Sequence, residues 1–370
     1  MVTDYVPSTG GTTSQVRLQA SELLRRGWDV DVLTRRLSRR WRRSEIIEGV
    51  RVRRVGRPGY EALSKFYDLV GCWLVLLSRY RRIDAIQAIM DPDYVVVAWL
   101  AGLSGRTSMI WATDGDAGQL MAGLSGRIRK RAMRRCRQVV LTPAMAVELE
   151  TSCGIAADAV IPVPVDVERF HPASEIERMA RRVALSIESR VVIAYTGHLV
   201  ERKGVTLLVE AFSVMRDVGA NVHLLLVGGG EGRPKNVEAE LRRFVADRGL
   251  GGHLTLTGVV QDVVPYLQCA DIFCLPSYLE GMPNSILEAM GCGLACVAPA
   301  SAGGQELLRD GAGIVPATNA VDDLVEAMLP LVASEGQRNE LGVVARSRVR
   351  STHSVSAVID EYERLWRRSR

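Results

Sequence analysis

Lysine is nearly missing from this 370-residue chain: Lys65, Lys130, Lys203 and Lys235 are the four among 47 basic residues. Arginine is therefore the default cation, and a lysine inside a motif stands out. Paired cysteine spacing is also lacking. The seven cysteines contain no C-x-x-C, and Cys292 and Cys296 have no histidine or second pair to complete a zinc set. Buried, reduced thiols are the expected state. No run of about 18 uncharged apolar residues occurs, which excludes a spanning helix. No basic-then-apolar leader opens the chain, so the expected location is the cytoplasm.

The chain has ordinary globular composition, 47% hydrophobic and 24% charged, and its length suggests two domains. Charge is uneven. Residues 1–170 hold 26 Arg and Lys against 18 Asp and Glu, whereas the remainder holds 21 against 24. The first half is the basic one.

Short β-rich runs at 30–34, 50–55, 83–89, 107–113 and 138–142 alternate with helical patterns, which predicts a parallel sheet covered on both faces. The opening MVTDYVP offers only three or four strand residues, so either the first strand is short or the chain begins upstream. The proline-rich IPVPVDVERFHP (161–172) reads as a linker. A second alternating set follows, with strands expected at 190–197, 221–229, 253–258, 271–276, 294–299 and 312–316. The prediction is α/β, two doubly wound Rossmann-like domains facing a cleft. Ligands of such sheets bind beyond the carboxyl ends of the strands. The expected boundaries are 1–165, 166–352, and a C-terminal helical segment, 353–370, packing back toward the first domain.

The stretch YLEGMPNSILEAM (278–290) sets Glu280 and Glu288 on either side of a Gly-Met-Pro-Asn turn. Pro283 argues against one continuous helix, which puts Glu280 on a loop and Glu288 in a helix. Ser285-x-x-Glu288 alone also fits a capping box. Upstream, YTGHLVERKG brings Gly197 after a strand and Arg202-Lys203-Gly204 before a helix. Basic residues at a helix start suit an anion, because free N–H groups and the dipole already favour negative charge there. Gly228-Gly229-Gly230 follows the next strand. Such loops at one sheet edge, with a carboxylate nearby, suggest a nucleoside diphosphate.

These segments resemble the nucleotide-sugar-binding domain of retaining GT-B glycosyltransferases, family four (glycosyl transferases group 1). The matching pieces are YTGHLVERKG, LLLVGGG, the run from LTLTGVVQDV to GCGLACVA, and SAGGQELLRDGAGIVP. PSTGGTTSQVRLQASELLRRGWDVDVLT and PVDVERFHP resemble the opening glycine loop and the interdomain segment. The resemblance implies that Arg202 and Lys203 neutralise a diphosphate, and that Gly10 and Gly11 approach it from the first domain. It implies that Glu288 accepts from ribose hydroxyls and that Glu280 lies near the sugar. Gly197, Gly281, Met282, Pro283 and Asn284 line sugar and phosphate, and Val259 and Val260 meet the base. Three positions depart from the pattern, one of them Pro164, with no glycine, where the interdomain segment often has Asn-Gly. His198 stands where an arginine is usual, and Asp114-Gly115 stands where His-Gly is frequent, which makes Asp114 the candidate at that catalytic position. The resemblance further implies transfer with retention, no metal, no cofactor and no protein nucleophile.

The arginine-dense RRLSRRWRRSE (35–45) and RIRKRAMRRCRQ (127–138) fit a solvated face or an anionic membrane surface, with nucleic acid the least favoured partner. SKFYDLVGCWLVLLSRYRR (64–82) fits either a membrane-facing or a core helix. The leading expectation is a hexosyltransferase moving sugar from a UDP- or GDP-linked donor to a glycolipid or polysaccharide, peripheral on the inner face of the plasma membrane. A nucleotide-sugar epimerase on the same fold and a non-catalytic nucleotide-sugar-binding regulator are the alternatives.

Overall fold

The computed structural model describes residues 1–3, 5, 11–56, 61–89, 92–101, 107–111, 123–299 and 302–367. Gly10 and Asp114 lie outside the described residues. The chain divides into two compact units, one formed by 1–164 and 355–370, the other by 165–354.

In the first unit, helix α1 (Gly11–Arg25) begins at Gly11 and buries Thr13, Val16, Ala20 and Leu23, a three-four spacing that makes one apolar face. Strand β1 (Asp31–Arg35) pairs in parallel with β3 (Val50–Val55). The sequence reading expected parallel strands alone. Instead β2 (Ser44–Ile47) folds back antiparallel on β3. The cause is local: Glu48 and Gly49 both take positive φ (51° and 82°), as a two-residue hairpin turn of matching twist requires. Strands β4 (Ile86–Ile89), β5 (Thr107–Trp111), β6 (Arg137–Val140) and β7 (Ala159–Val160) form a second, parallel set. Val2 bridges both sets, to Leu33 and to Ala88.

Helix α2 (Glu61–Arg79) carries the apolar segment read above as membrane-facing or core. Its Cys72 and Leu76 pack with Val2, Leu33, Ile86, Ala88, Val97 and Ala98. That face is core, while Leu74 and Leu77 remain exposed. Helices α3 (Pro92–Ala101), α4 (Gly123–Met133) and α5 (Pro143–Cys153) follow in chain order. The last described helix also belongs to this unit: Arg26 bonds Asp360 and Glu363, and the Trp28 indole N–H donates to Glu363.

The second unit starts with α6 (Glu175–Ala184), closed by a Ser174–Glu177 capping box. Its sheet contains β8 (Val191–Thr196), β9 (Val222–Val227), β10 (Leu254–Leu256), β11 (Ile272–Cys274) and β12 (Ala295–Val297), all parallel, in the order β10-β9-β8-β11-β12. Every residue of β8 and β9 is buried, as central strands covered on both faces require. Helices α7 (Val205–Asp217), α8 (Glu238–Asp247), α9 (Val264–Leu267), α10 (Asn284–Gly291), α11 (Ala302–Leu308), α12 (Val321–Ala333) and α13 (Glu335–Arg348) complete it, and α14 (Val355–Arg367) returns to the first unit. The strand expected at 312–316 reduces to one bridge, Ile314 to Val297. The order reverses between β8 and β11. At such a switch point the helices on either side diverge and leave a crevice at the strands' carboxyl ends.

All seven cysteines are buried and none is bonded to another. Among the described residues, no helix is long and apolar enough to cross a membrane.

Candidate functional site

The two strands flanking the switch point each send a motif loop to the same edge. After β8, Gly197 takes φ 153°, the chain makes one 3-10 turn over Glu201–Lys203, and Gly204 (φ 64°) opens α7. A Cβ at Gly204 would sit 2.0 Å from the Pro276 carbonyl oxygen, so only glycine lets this loop lie against the exit of β11. The Tyr278 N–H donates to the Arg202 carbonyl at 3.1 Å, and the Asn319 amide donates to the Pro276 carbonyl at 2.7 Å. No side chain caps α7, which leaves its first N–H groups available to a ligand.

Lys203 Nζ and the Glu280 carboxylate form an ion pair across these loops, with side chains 15% and 9% exposed. The two residues read from the sequence as a phosphate cation and a sugar-facing carboxylate are thus in contact. Glu288 lies on α10. Helix α10 starts at Asn284 with Pro283 as its N-cap and no side-chain cap. The Ser285–Glu288 capping box is therefore not formed, because the helix begins too early for Ser285 to flank it. Glu288 as a residue is half-buried, but its carboxyl end is buried, and among the described residues no hydrogen bond to that carboxyl is found. Burial pushes it up to about 7, with the Arg169 guanidinium acting weakly in the other direction. Gly281, Met282 and Pro283 are buried. A Cβ at Gly303 would stand 2.0 Å from the Gly281 carbonyl oxygen, so the start of α11 backs this turn closely.

The loops after β9 and β10 continue the same edge. The Gly197 N–H donates to Val227, the Leu199 N–H to Gly229 and the Gly228 N–H to Gly258. The glycine run is required by crowding: a Cβ on Gly228 would lie 1.9 Å from the Gly197 carbonyl oxygen, and one on Gly230 1.9 Å from Asn236 Oδ1. Val259 is 82% exposed at the tip of the next loop, with Val260 half-buried beside it. Asp262, just beyond, pairs with Arg169 at 2.8 Å.

Gly197, Arg202, Lys203, Val259, Val260 and Glu280–Pro283 thus sit on neighbouring loops of one sheet, with Asn284 and Glu288 on the helix that follows the last of them. Sequence reasoning missed Arg233 and Arg169. Burial holds the His198 imidazole below the usual histidine range, and Arg233, Lys203 and Arg202 push it the same way. The signal for Arg233 was its place three residues past the glycine run. Arg169 gave none, since its partner Asp262 is 93 residues away.

Residues 190–334 match the family described as Glycosyl transferases group 1, and residues 10–166 match the Glycosyl transferase 4-like domain. A D-inositol 3-phosphate glycosyltransferase of Saccharomonospora viridis is 30% identical, over 97% of this chain and 87% of its own. A GDP-mannose-dependent monoacylated alpha-(1-6)-phosphatidylinositol monomannoside mannosyltransferase of Corynebacterium glutamicum is 31% identical over 202 residues, about half of either chain (52% of each). A glycosyltransferase of Rickettsia africae superposes with TM-score 0.82 over 100% of this chain and 97% of its own, at 16% identity, a likeness of fold alone.

Proposed function

This chain belongs to the group 1 glycosyltransferases, and from that membership we propose that it transfers a hexose from a UDP- or GDP-linked donor to a glycolipid or polysaccharide acceptor, with retention of configuration. The observation that carries the reading is the Lys203–Glu280 contact at the switch point, with Glu288 on the helix that follows.

In this reading Arg202, Lys203 and the uncapped start of α7 receive the diphosphate. They stabilise the charge that grows on it as the sugar bond breaks. Glu288 accepts from the ribose hydroxyls, and Glu280 orients the donor sugar. Gly281–Asn284 line sugar and phosphate, and Val259 and Val260 cover the base. The acceptor oxygen attacks the face that the phosphate leaves, so no side chain of the protein becomes bonded to the sugar. Protein cations do the work a metal would otherwise do, and no cofactor is required. The Corynebacterium relative is GDP-mannose-dependent, which supports a nucleotide-sugar donor here.

The enzyme works at an anionic membrane face. Arg39, Arg40, Arg42 and Arg43 are exposed beside exposed Leu37 and Ile46, a mixture suited to a lipid headgroup layer. Trp41 itself is engaged, with the Arg54 guanidinium 5.6 Å from its ring centre.

The test is a panel of UDP- and GDP-hexoses with lipid-linked and polysaccharide acceptors. Acceptor-dependent release of nucleoside diphosphate is expected for at least one donor. Tight nucleotide-sugar binding without turnover on any acceptor would point to a regulator instead.

A further inference from the structure

We propose that Arg233, on the loop after β9, is a third cationic contact for the donor diphosphate. The inference rests on the proposed nucleotide-sugar reading and deepens it.

Two observations lead to it. The first is charge. Lys203 is already neutralised by Glu280, and Lys235 pairs with Glu201 at 2.9 Å. Glu238 is taken by Arg242 and by the Gly230 N–H. Among the described residues of these loops, Arg202 and Arg233 are the cations with no acidic partner. A diphosphate ester brings about two negative charges, and because Lys203 is shared with Glu280 a further cation beside Arg202 helps to balance them.

The second is placement. The loop after β9 is laced to the loop after β8 along its length: Leu199 N–H to Gly229, Val237 N–H to Leu199 and Glu201 N–H to Lys235. The crowded glycines 228 and 230 hold the two backbones together. Arg233 is anchored within that loop, its N–H donating to Gly230 at 3.1 Å. Its guanidinium is exposed and acts electrostatically on His198, the residue that follows Gly197. Arg202 and Lys203 act on the same imidazole. All three cations act on one imidazole at the edge of the sheet. A scattered, solvated arginine would not share a neighbour with the two motif cations.

The experiment uses the full chain and isothermal titration with UDP, GDP and the parent nucleosides, at low and moderate salt. Arg233→Gln is expected to weaken the bound diphosphate roughly tenfold or more, in line with a lost charge-assisted contact. It should flatten the salt dependence and leave nucleoside affinity unchanged. Arg233→Lys should restore most of the loss. If Arg233→Gln binds both diphosphates like the parent while Lys203→Ala is weakened, the Arg233 inference is overturned and the phosphate-site reading stands. If neither variant is weakened, both fall.

Discussion

Lys203 and Glu280, 77 residues apart in sequence, are ion-paired in the second unit. The pair joins the loop after β8 to the loop after β11, the two strands at which the sheet order reverses. In the proposed reading, a phosphate entering this site competes with Glu280 for the ammonium group, and the freed carboxylate becomes available to sugar hydroxyls.

Lys203→Ala should weaken UDP or GDP binding by about 1–3 kcal/mol, the range for a charge-assisted contact. It also leaves the Glu280 carboxylate, only 9% exposed, without its cation, so some loss of stability accompanies it. Calorimetric titration beside a thermal melt separates the two. Unchanged affinity for both nucleotides would reject the phosphate role.

Glu288 links pH to both stability and binding. Its carboxyl is raised from 4.5 to about 7 in the folded chain. The folded state therefore holds a proton that the unfolded state has released between those values. The resulting penalty is absent below pH 4.5, grows as pH rises, and is complete above about 7. Glu288→Gln should raise stability at pH 8 by up to about 3 kcal/mol and change little at pH 4.5. An ionised carboxylate accepts from ribose hydroxyls more strongly than a neutral carboxyl does, so in the proposed reading nucleotide affinity of the parent should rise through pH 7 and that of the Gln variant should not. Melting curves and titrations at pH 5 and 8 test both halves.

Gly204→Ala should lower stability by about 2 kcal/mol or more, since φ is 64° and the added carbon would meet the Pro276 oxygen at 2.0 Å. The KG loop would have to retreat from β11, so nucleotide affinity should fall with it. Gly249→Ala is the control. It also has positive φ, 65°, but open space around it, so it carries the backbone cost alone.

Chelation should leave transfer activity intact, because arginine, lysine and helix N–H groups supply the positive charge a metal would otherwise provide. Loss of activity in EDTA with recovery on adding magnesium or manganese would reject that mechanism.

Replacing Arg39, Arg40, Arg42 and Arg43 with serine should reduce co-sedimentation with anionic vesicles, each arginine near the surface contributing about 1 kcal/mol. Raising salt should do the same to the parent, since the screening length falls below about 10 Å. Nucleotide affinity should not change, because these residues belong to the other unit. Equal, weak pelleting with neutral and anionic vesicles would remove the membrane proposal alone.

Much of the second unit was legible in the sequence. Short apolar runs such as VVIAYT and VHLLLV, each followed by glycine, fit central strands, and glycine-rich or basic loops after them mark the ligand edge. The candidate residues were readable for the same reason: their spacing is local. Three things were not readable. The β2 hairpin hid in an arginine-rich stretch, because its signal is two positive-φ residues, Glu48 and Gly49, rather than hydrophobic alternation. The capping box at Ser285 fitted the local sequence and lost to Pro283, since the start of a helix depends on the loop that delivers the chain to it. The pairings of Lys203 with Glu280, and of Arg169 with Asp262, join residues from different βα loops. Sequence by itself determined which residues could carry charge and where the backbone could turn. Strand order decided which of them meet, because it is set by the packing of whole strands and helices that no local pattern encodes.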